Sequence, residues 1–108
     1  MKLRKIPIYK CHVAIITTKE EWAKKFPNEP IGDYVTATTC TKGGDVYLYY
    51  NKDKMDAAAL AHECLHLANF IFLNKGIDAN LNNDEHQAYL IGWLFETLEP
   101  IVLKNQKK

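Results

Sequence analysis

The sequence has few cysteines, and their spacing excludes the simplest uses of this residue. Three cysteines, Cys11, Cys40 and Cys64, occur in 108 residues, and no two of them form a Cys-x-x-Cys pair. An odd set without such a pair argues against a disulfide framework and against a zinc site made of cysteine alone. A reducing compartment fits this cysteine content best.

The sequence also lacks an excess of charge of either sign. Lysine and arginine together number 14 and aspartate and glutamate 13, which leaves a formal net charge of +1. Proteins that bind nucleic acid or anionic lipid through electrostatics carry a strong basic field. We therefore expect neither nucleic acid nor a membrane surface as a partner.

An uninterrupted apolar run of membrane-spanning length is missing too. The longest apolar stretch, residues 57–73, carries four polar residues near its centre, namely His62, Glu63, His66 and Asn69. The basic start of the chain is followed by Pro7, Lys10 and His12 rather than by the apolar core of a signal peptide. We therefore expect residues 57–73 to form a buried helix and the protein to be cytoplasmic.

The remaining composition is that of one ordinary globular domain. Hydrophobic residues make up 47% of the chain and charged residues 25%, with only 5 glycines and 4 prolines. A chain of this length buries about two-thirds of the surface that it exposes when unfolded, which suffices for one core. We expect a single domain over residues 1–108, with a frayed, lysine-rich tail at residues 104–108.

The first half of the chain has the composition of strands. Residues 11–17 are rich in β-branched and apolar side chains, and Thr18 with Glu21 forms a capping box for a short helix. Residues 33–41 and 46–50 also have strand composition and flank a glycine turn, which predicts a hairpin. We expect these strands to form a small antiparallel sheet.

Two long helices are predicted in the second half. The apolar stretch has Asp53 or Asp56 as its N-cap and is ended by Gly76. The last helix begins near Asn83 or Asp84 and reaches Pro100. This order of elements predicts an α+β fold in which the small antiparallel sheet packs on both helices.

The apolar helix contains the pattern His-Glu-x-x-His at residues 62–66. Residues four apart lie on one helix face, so His62 and His66 can direct ring nitrogens at one cation, with Glu63 in reach of a metal-bound water. The alternative is that both histidines are hydrogen-bonded core residues and that Glu63 pairs with one of them. A divalent cation compensates the burial of these groups better than neighbouring side chains do. We therefore predict one zinc ion per chain.

A third metal ligand is expected on the last helix, because a catalytic zinc takes three protein ligands and keeps one position for water. The candidates are Glu85 and His86, which point about 100° apart. Glu85 shares its face with Gly92, and a glycine there permits a close approach to the His-Glu-x-x-His helix. We therefore predict Glu85 as the ligand and His86 as a residue near the site or a donor to a substrate oxygen.

Further polar residues are candidates for supporting roles. Asn69 or Asp84 can fix a ligand histidine through its second nitrogen. A hydrolase also needs a donor for the developing oxyanion. The candidates for that donor are Tyr89, His86, His12, Tyr47 and Tyr49. The strand at residues 46–50 either binds an extended peptide by strand addition or packs its alternating aromatic side chains into a core.

The motif and its surroundings resemble a known family. A His-Glu-x-x-His helix followed after eighteen residues by a helix-borne glutamate is similar to the gluzincin branch of zinc metallopeptidases, although thermolysin-like members carry an aspartate where this chain has Tyr89. The segments AHECLHLANFIF and NDEHQAYLIGW resemble small zincin-like proteins of bacteriophage and bacterial genomes. This resemblance implies a minimal zincin-like fold in a bacterial or phage-infected cell, His62, His66 and Glu85 as zinc ligands, and Glu63 as general base.

These residues predict a zinc-dependent metallohydrolase, and in particular a peptidase that acts on peptide or protein substrates. Glu63 takes the proton of the metal-bound water and delivers it to the leaving nitrogen. The alternative is a catalytically silent, zinc-containing binding protein, for example a phage-encoded modulator of a host protein. Glu63 favours hydrolysis, because a structural zinc site needs no base. The short chain favours binding, because it leaves little room for a substrate cleft.

Overall fold

Four strands and three helices make up residues 1–104, the part of the chain that the computed structural model describes. In chain order they are β1 (Lys2–Ile6), β2 (Cys11–Ile16), α1 (Lys19–Lys25), β3 (Ala37–Lys42), β4 (Asp45–Tyr50), α2 (Ala57–Asn74) and α3 (Glu85–Val102). The predicted α+β class is confirmed. The predicted frayed tail begins at Lys104 and otherwise lies outside the described residues.

The strands form one mixed sheet in the order β1-β2-β4-β3. The pairs β1–β2 and β3–β4 are antiparallel. The central pair β2–β4 is parallel, with Val13 opposite Val46 and Ile16 opposite Tyr49, so the prediction of a purely antiparallel sheet is wrong. The connection explains the difference, because α1 and β3 bring the chain back to the end of the sheet at which β2 begins.

The edge strand β1 is not apparent from composition, because it is mostly charged. Three of its five residues are Lys2, Arg4 and Lys5, and only Ile6 is buried. Charged side chains on an edge strand discourage pairing with another chain. A strand that places one residue in the core gives no hydrophobic periodicity for a sequence pattern to detect.

The predicted turn and cap residues lie where their conformations require them. Gly43 and Gly44 join β3 to β4 with φ values of +62° and +86°, as a tight hairpin turn demands. The side chains of Thr18 and Asp56 each accept a hydrogen bond from the backbone N–H three residues later, at 3.1 and 2.8 Å, and so cap α1 and α2. Gly76 adopts a φ of +70° after the end of α2.

Each face of the sheet packs against its own hydrophobic cluster. The helices α2 and α3 cover one face, and the buried side chains there include Ile15, Leu48, Leu67 and Leu94. Trp22 of α1 and Phe26 cover the other face, where they pack on Tyr47 and Tyr49. No helix within residues 1–104 is long and apolar enough to cross a membrane. The buried residues of α2 lie on the side that faces the sheet, and its other side is exposed to solvent.

Candidate metal and active site

His62 and His66 lie on the solvent-exposed side of α2, one helical turn apart. Their Nε2 atoms are 3.2 Å apart, and their rings are T-shaped at an interplanar angle of 75°. Two nitrogen ligands of one tetrahedral zinc ion, each about 2.0–2.1 Å from the metal, lie about 3.3–3.4 Å apart. The pair therefore fits two adjacent positions of one zinc ion. Without metal, the same separation permits a hydrogen bond between the rings.

The exposure of the two histidines differs from the expectation that they lie in a buried helix. The buried residues of α2 include Leu60, Cys64, Leu67 and Ile71, which recur at helical spacing on the side that faces the sheet. The histidines share the opposite side. The sequence pattern conceals this exposure, because small and apolar residues such as Leu65 occupy the solvent side as well.

Glu63 is the buried member of the motif, with 7% of its surface exposed. It lies about 100° around α2 from His62, and its carboxylate neighbours the hydroxyl of Thr39 on β3. Burial raises the pKa of the Glu63 carboxyl above its ordinary value, and the two histidines and the Thr39 hydroxyl partly oppose this rise. A carboxylate with a raised pKa is a stronger base than an exposed one.

Glu85 is exposed at the first residue of α3. Gln87, in the same turn, contacts α2 through its Nε2, which donates a hydrogen bond to Asn69 Oδ1 at 2.5 Å. Gln87 lies about 200° around the helix from Glu85, because adjacent residues are about 100° apart. The contact places Gln87 beside the histidine-bearing face, since Asn69 follows His66 by three residues.

The close approach of the two helices that we expected at Gly92 is not present. Gly92 is exposed, and a Cβ atom built there meets nothing within 4 Å. The expectation is wrong because α3 buries the opposite side, which carries Leu90, Leu94 and Leu98. This removes the sequence argument that favoured Glu85 over His86.

Within residues 1–104, no three histidine, cysteine, aspartate or glutamate side chains are grouped closely enough to hold a metal ion. The structure thus brings His62 and His66 together, beside Glu63, and does not add a third ligand. Glu85 as the third ligand stays a prediction.

The other predicted supporting residues are spread over different surfaces. His86 and Tyr89 line an apolar groove of about 450 Å³ with Trp93 of α3 and residues 6–9. Asp84 is exposed and makes no side-chain cap hydrogen bond. His12 pairs with Asp45, whose carboxylate accepts the backbone N–H of His12 at 2.8 Å.

Tyr47 and Tyr49 are wrong candidates for an oxyanion donor. Both side chains belong to the hydrophobic cluster on the sheet face opposite α2. Tyr47 packs edge-on against Phe26, with ring centroids 5.0 Å apart, and Tyr49 packs against Trp22. Strand alternation explains this, because the residues of β4 that face α2 are the intervening ones.

The strand proposed as a peptide platform is also misassigned. Residues 45–50 form β4, which is paired on both sides, by β2 and by β3. The strand with a free edge is β3. Its register with β4, together with the hydrogen bond from Asn51 N to Thr36 O, points the backbone N–H and C=O groups of Ala37, Thr39 and Thr41 toward that edge.

Two residues of the site, Thr39 and Gln87, are not identified by sequence reasoning. Thr39 stands in a run of β-branched residues whose composition indicates only a strand. Its contact with Glu63 depends on β3 and α2 being neighbours in space. Gln87 follows two more conspicuous candidates, Glu85 and His86, and is distinguished only by the helix face that it occupies.

The chain matches no protein-family model, no curated protein and no solved structure. The resemblance to gluzincins therefore rests on the motif residues alone.

Proposed function

We propose that this protein is a zinc-dependent hydrolase of peptide or related amide bonds, in which His62 and His66 hold the metal and Glu63 is the general base. One observation carries the proposal. Two imidazole Nε2 atoms converge at 3.2 Å beside a carboxylate that is 7% exposed. A structural zinc site uses its ligands and has no need of a buried base next to them.

Zinc, when bound, lowers the pKa of a coordinated water toward about 7 and polarises a carbonyl oxygen. The residues of the chain supply the proton transfers. Glu63 accepts a proton on its carboxylate and returns it to the leaving nitrogen. The neighbouring Thr39 hydroxyl lies on the β3 side of α2 and favours the charged form of the carboxylate. Burial supports the proton acceptance, because it raises the pKa of Glu63.

Glu85 remains the proposed third ligand, with His86 as its competitor. Glu85 begins α3, and the preceding N-cap residue Asp84 makes no side-chain cap hydrogen bond. The hydrogen bond between Gln87 and Asn69 joins the first turn of α3 to α2, one helical turn from His66.

The free edge of β3 supports a peptide as the substrate class. An extended peptide that adds to this edge pairs with the outward backbone groups of Thr39. The side chain of the same residue neighbours Glu63. The strand that aligns the peptide is therefore also the strand that contacts the base.

Proteolysis of a denatured protein mixture tests the proposal. The zinc-loaded chain is incubated with this reduced and unfolded protein mixture, and new peptide termini are counted by mass spectrometry. We expect cleavage by the unaltered chain, cleavage by the exposed-site control Glu20→Gln, and loss of at least about a hundredfold in Glu63→Gln, the scale of a general base. Equal cleavage by Glu63→Gln and the control contradicts the proposal.

A catalytically silent, zinc-containing binding protein is the second candidate. The exposure of His62 and His66 on the solvent side of α2 favours it, because a ligand pair on an open surface can meet a partner protein directly. This candidate predicts zinc binding without any cleavage that depends on Glu63, so the same experiment separates the two.

A further inference from the structure

A cleft of about 290 Å³ opens at the free edge of β3. Three elements line it: β3 itself, α2 through Phe70, and the segment from α1 to β3. The lining side chains are Trp22, Ile31, Val35, Thr38, Cys40 and Phe70, together with Thr39, Pro30 and Glu29. Because β3 is an edge strand, the cleft reaches both faces of the sheet at that edge.

Hydrogen bonds fix the wall of the cleft in place. Trp22 is 2% exposed, and its indole N–H donates a hydrogen bond to the backbone carbonyl of Glu29 at 2.7 Å. The loop is also tied by the backbone bond from Glu29 N to Phe26 O at 3.1 Å. A pocket whose wall is fixed by such contacts loses little conformational entropy when it is filled.

The cleft adjoins the proposed active site through two residues. Thr39 lines the cleft, and its hydroxyl neighbours the Glu63 carboxylate. Phe70 follows Glu63 by seven residues and therefore lies within about 20° of it around α2. A peptide paired with Thr39 on the free edge of β3 thus passes both the cleft and the base.

The residues that line the cleft determine which side chain of a bound peptide fits into it. The walls are mostly apolar and aromatic, and Glu29 is the charged residue among those that line the cleft. An acidic side chain placed here meets the carboxylate of Glu29 and loses its hydration, whereas a large apolar side chain gains burial.

We propose that this cleft is a specificity pocket that takes one large apolar side chain, such as leucine or phenylalanine, of an extended peptide paired with β3. As a specificity pocket for hydrolysis it rests on the proposed function. The binding itself depends on β3 and the cleft and not on the metal.

The two tryptophans of the chain provide a test by NMR spectroscopy. Trp22 lines the cleft, whereas Trp93 lines the separate groove beside residues 6–9. Their indole N–H signals are recorded for the ¹⁵N-labelled Glu63→Gln chain, which leaves peptides intact, with and without zinc. The probes are eight-residue peptides of threonine and serine with leucine, phenylalanine, alanine, aspartate or lysine at one central position.

We expect the leucine and phenylalanine peptides to shift the Trp22 signal and the amides of residues 38–40, and to bind about tenfold or more tightly than the alanine peptide. The Trp93 signal stays in place. Shifts of Trp93 instead of Trp22, equal shifts with the aspartate peptide, or no shift at millimolar peptide would overturn the proposal.

A matched pair of variants controls for effects on folding. Val35→Asp introduces a charge into the wall, and Tyr34→Asp introduces the same charge at the adjacent residue, which is 92% exposed. We expect only Val35→Asp to abolish the preference for leucine, and Val35→Phe, which fills the cleft without a charge, to weaken it. Equal binding by all three variants contradicts the proposal. If the leucine peptide still binds to a chain that retains no zinc, the proposed hydrolase function is wrong and the proposed pocket is supported.

Discussion

The contact between the Thr39 hydroxyl and the Glu63 carboxylate should be measurable as stability. Thr39→Val replaces the hydroxyl by a methyl group of similar shape on a β-branched side chain, so strand propensity is kept. The change removes the hydroxyl partner of a carboxylate that is 7% exposed. A hydrogen bond to a charged group contributes about 1.5–3 kcal/mol, and because Thr39 itself is half-buried we expect the lower part of this range, about 1.5–2 kcal/mol.

Urea unfolding of the metal-free chain provides the assay, with Thr38→Val as the matched control. Thr38 is the adjacent residue of β3, its side chain faces the other side of the sheet, and no side-chain hydrogen bond of Thr38 is found within residues 1–104. We expect this control to change the free energy of unfolding by less than about 0.5 kcal/mol.

A double-mutant cycle isolates the interaction. The variants Thr39→Val and Glu63→Gln and their combination should give a coupling free energy of about 1 kcal/mol. If Thr39→Val destabilises the chain no more than Thr38→Val does, or if the coupling is zero within error, the reasoning about how Glu63 is held is wrong.

Four further predictions concern the thiols, a helix glycine and the metal. Cys40 is half-buried and Cys11 and Cys64 are buried, so iodoacetamide should label one thiol in the native chain and three after unfolding, as counted by mass spectrometry; rapid native labelling of Cys64 would contradict this. Burial raises the pKa of the Cys64 thiol from 9.0 to about 12. The raised pKa favours the neutral thiol in the folded chain, so the contribution of this thiol to the free energy of unfolding is present below pH 9 and is lost as the pH rises toward 12. The variant Cys64→Ala should flatten this loss in thermal melts. Gly92→Ala should stabilise α3 by about 0.5–1 kcal/mol in urea unfolding, because the added methyl group meets open space, and destabilisation would indicate a contact at this face. Zinc at a hundred times its Kd should stabilise the chain by about 2.7 kcal/mol, and an unchanged Tm on metal removal would show that the site does not bind the ion in the folded chain.

Much of the fold follows from local patterns. The glycine turn, the cap residues Thr18 and Asp56 and the helix-ending Gly76 each act through their own backbone conformation or a bond to a residue nearby, so the sequence contains the whole interaction. The apolar periodicity of α2 and α3 likewise requires no knowledge of the partner elements.

The errors concern relations between elements distant in sequence. The parallel pairing of β2 with β4 depends on the path of the chain through α1 and β3, which composition does not encode. The role of Gly92 was inferred from a helix face, and the face that packs was decided by the leucines of α3 instead. Hydrophobic patterning predicts that a helix has a buried side but leaves its neighbour undetermined.

The candidate site divides in the same way. The convergence of His62 and His66 follows from their spacing on one helix, and so does the offset of Glu63. The Thr39 contact and the contact of Gln87 with Asn69 require tertiary structure. The identity of the third ligand depends on how the first turn of α3 meets α2, and it remains a prediction.

Zinc content per chain is the decisive measurement. The purified chain is saturated with zinc, dialysed without chelator and analysed by mass spectrometry of the metal, alongside His66→Ala, Glu85→Ala and His86→Ala. We expect about one zinc per chain for the unaltered protein and for His86→Ala, and loss of zinc in His66→Ala and Glu85→Ala. If Glu85→Ala retains zinc and His86→Ala loses it, the third ligand is His86 and not Glu85. Absence of a transition metal in the unaltered chain would contradict the zinc site itself.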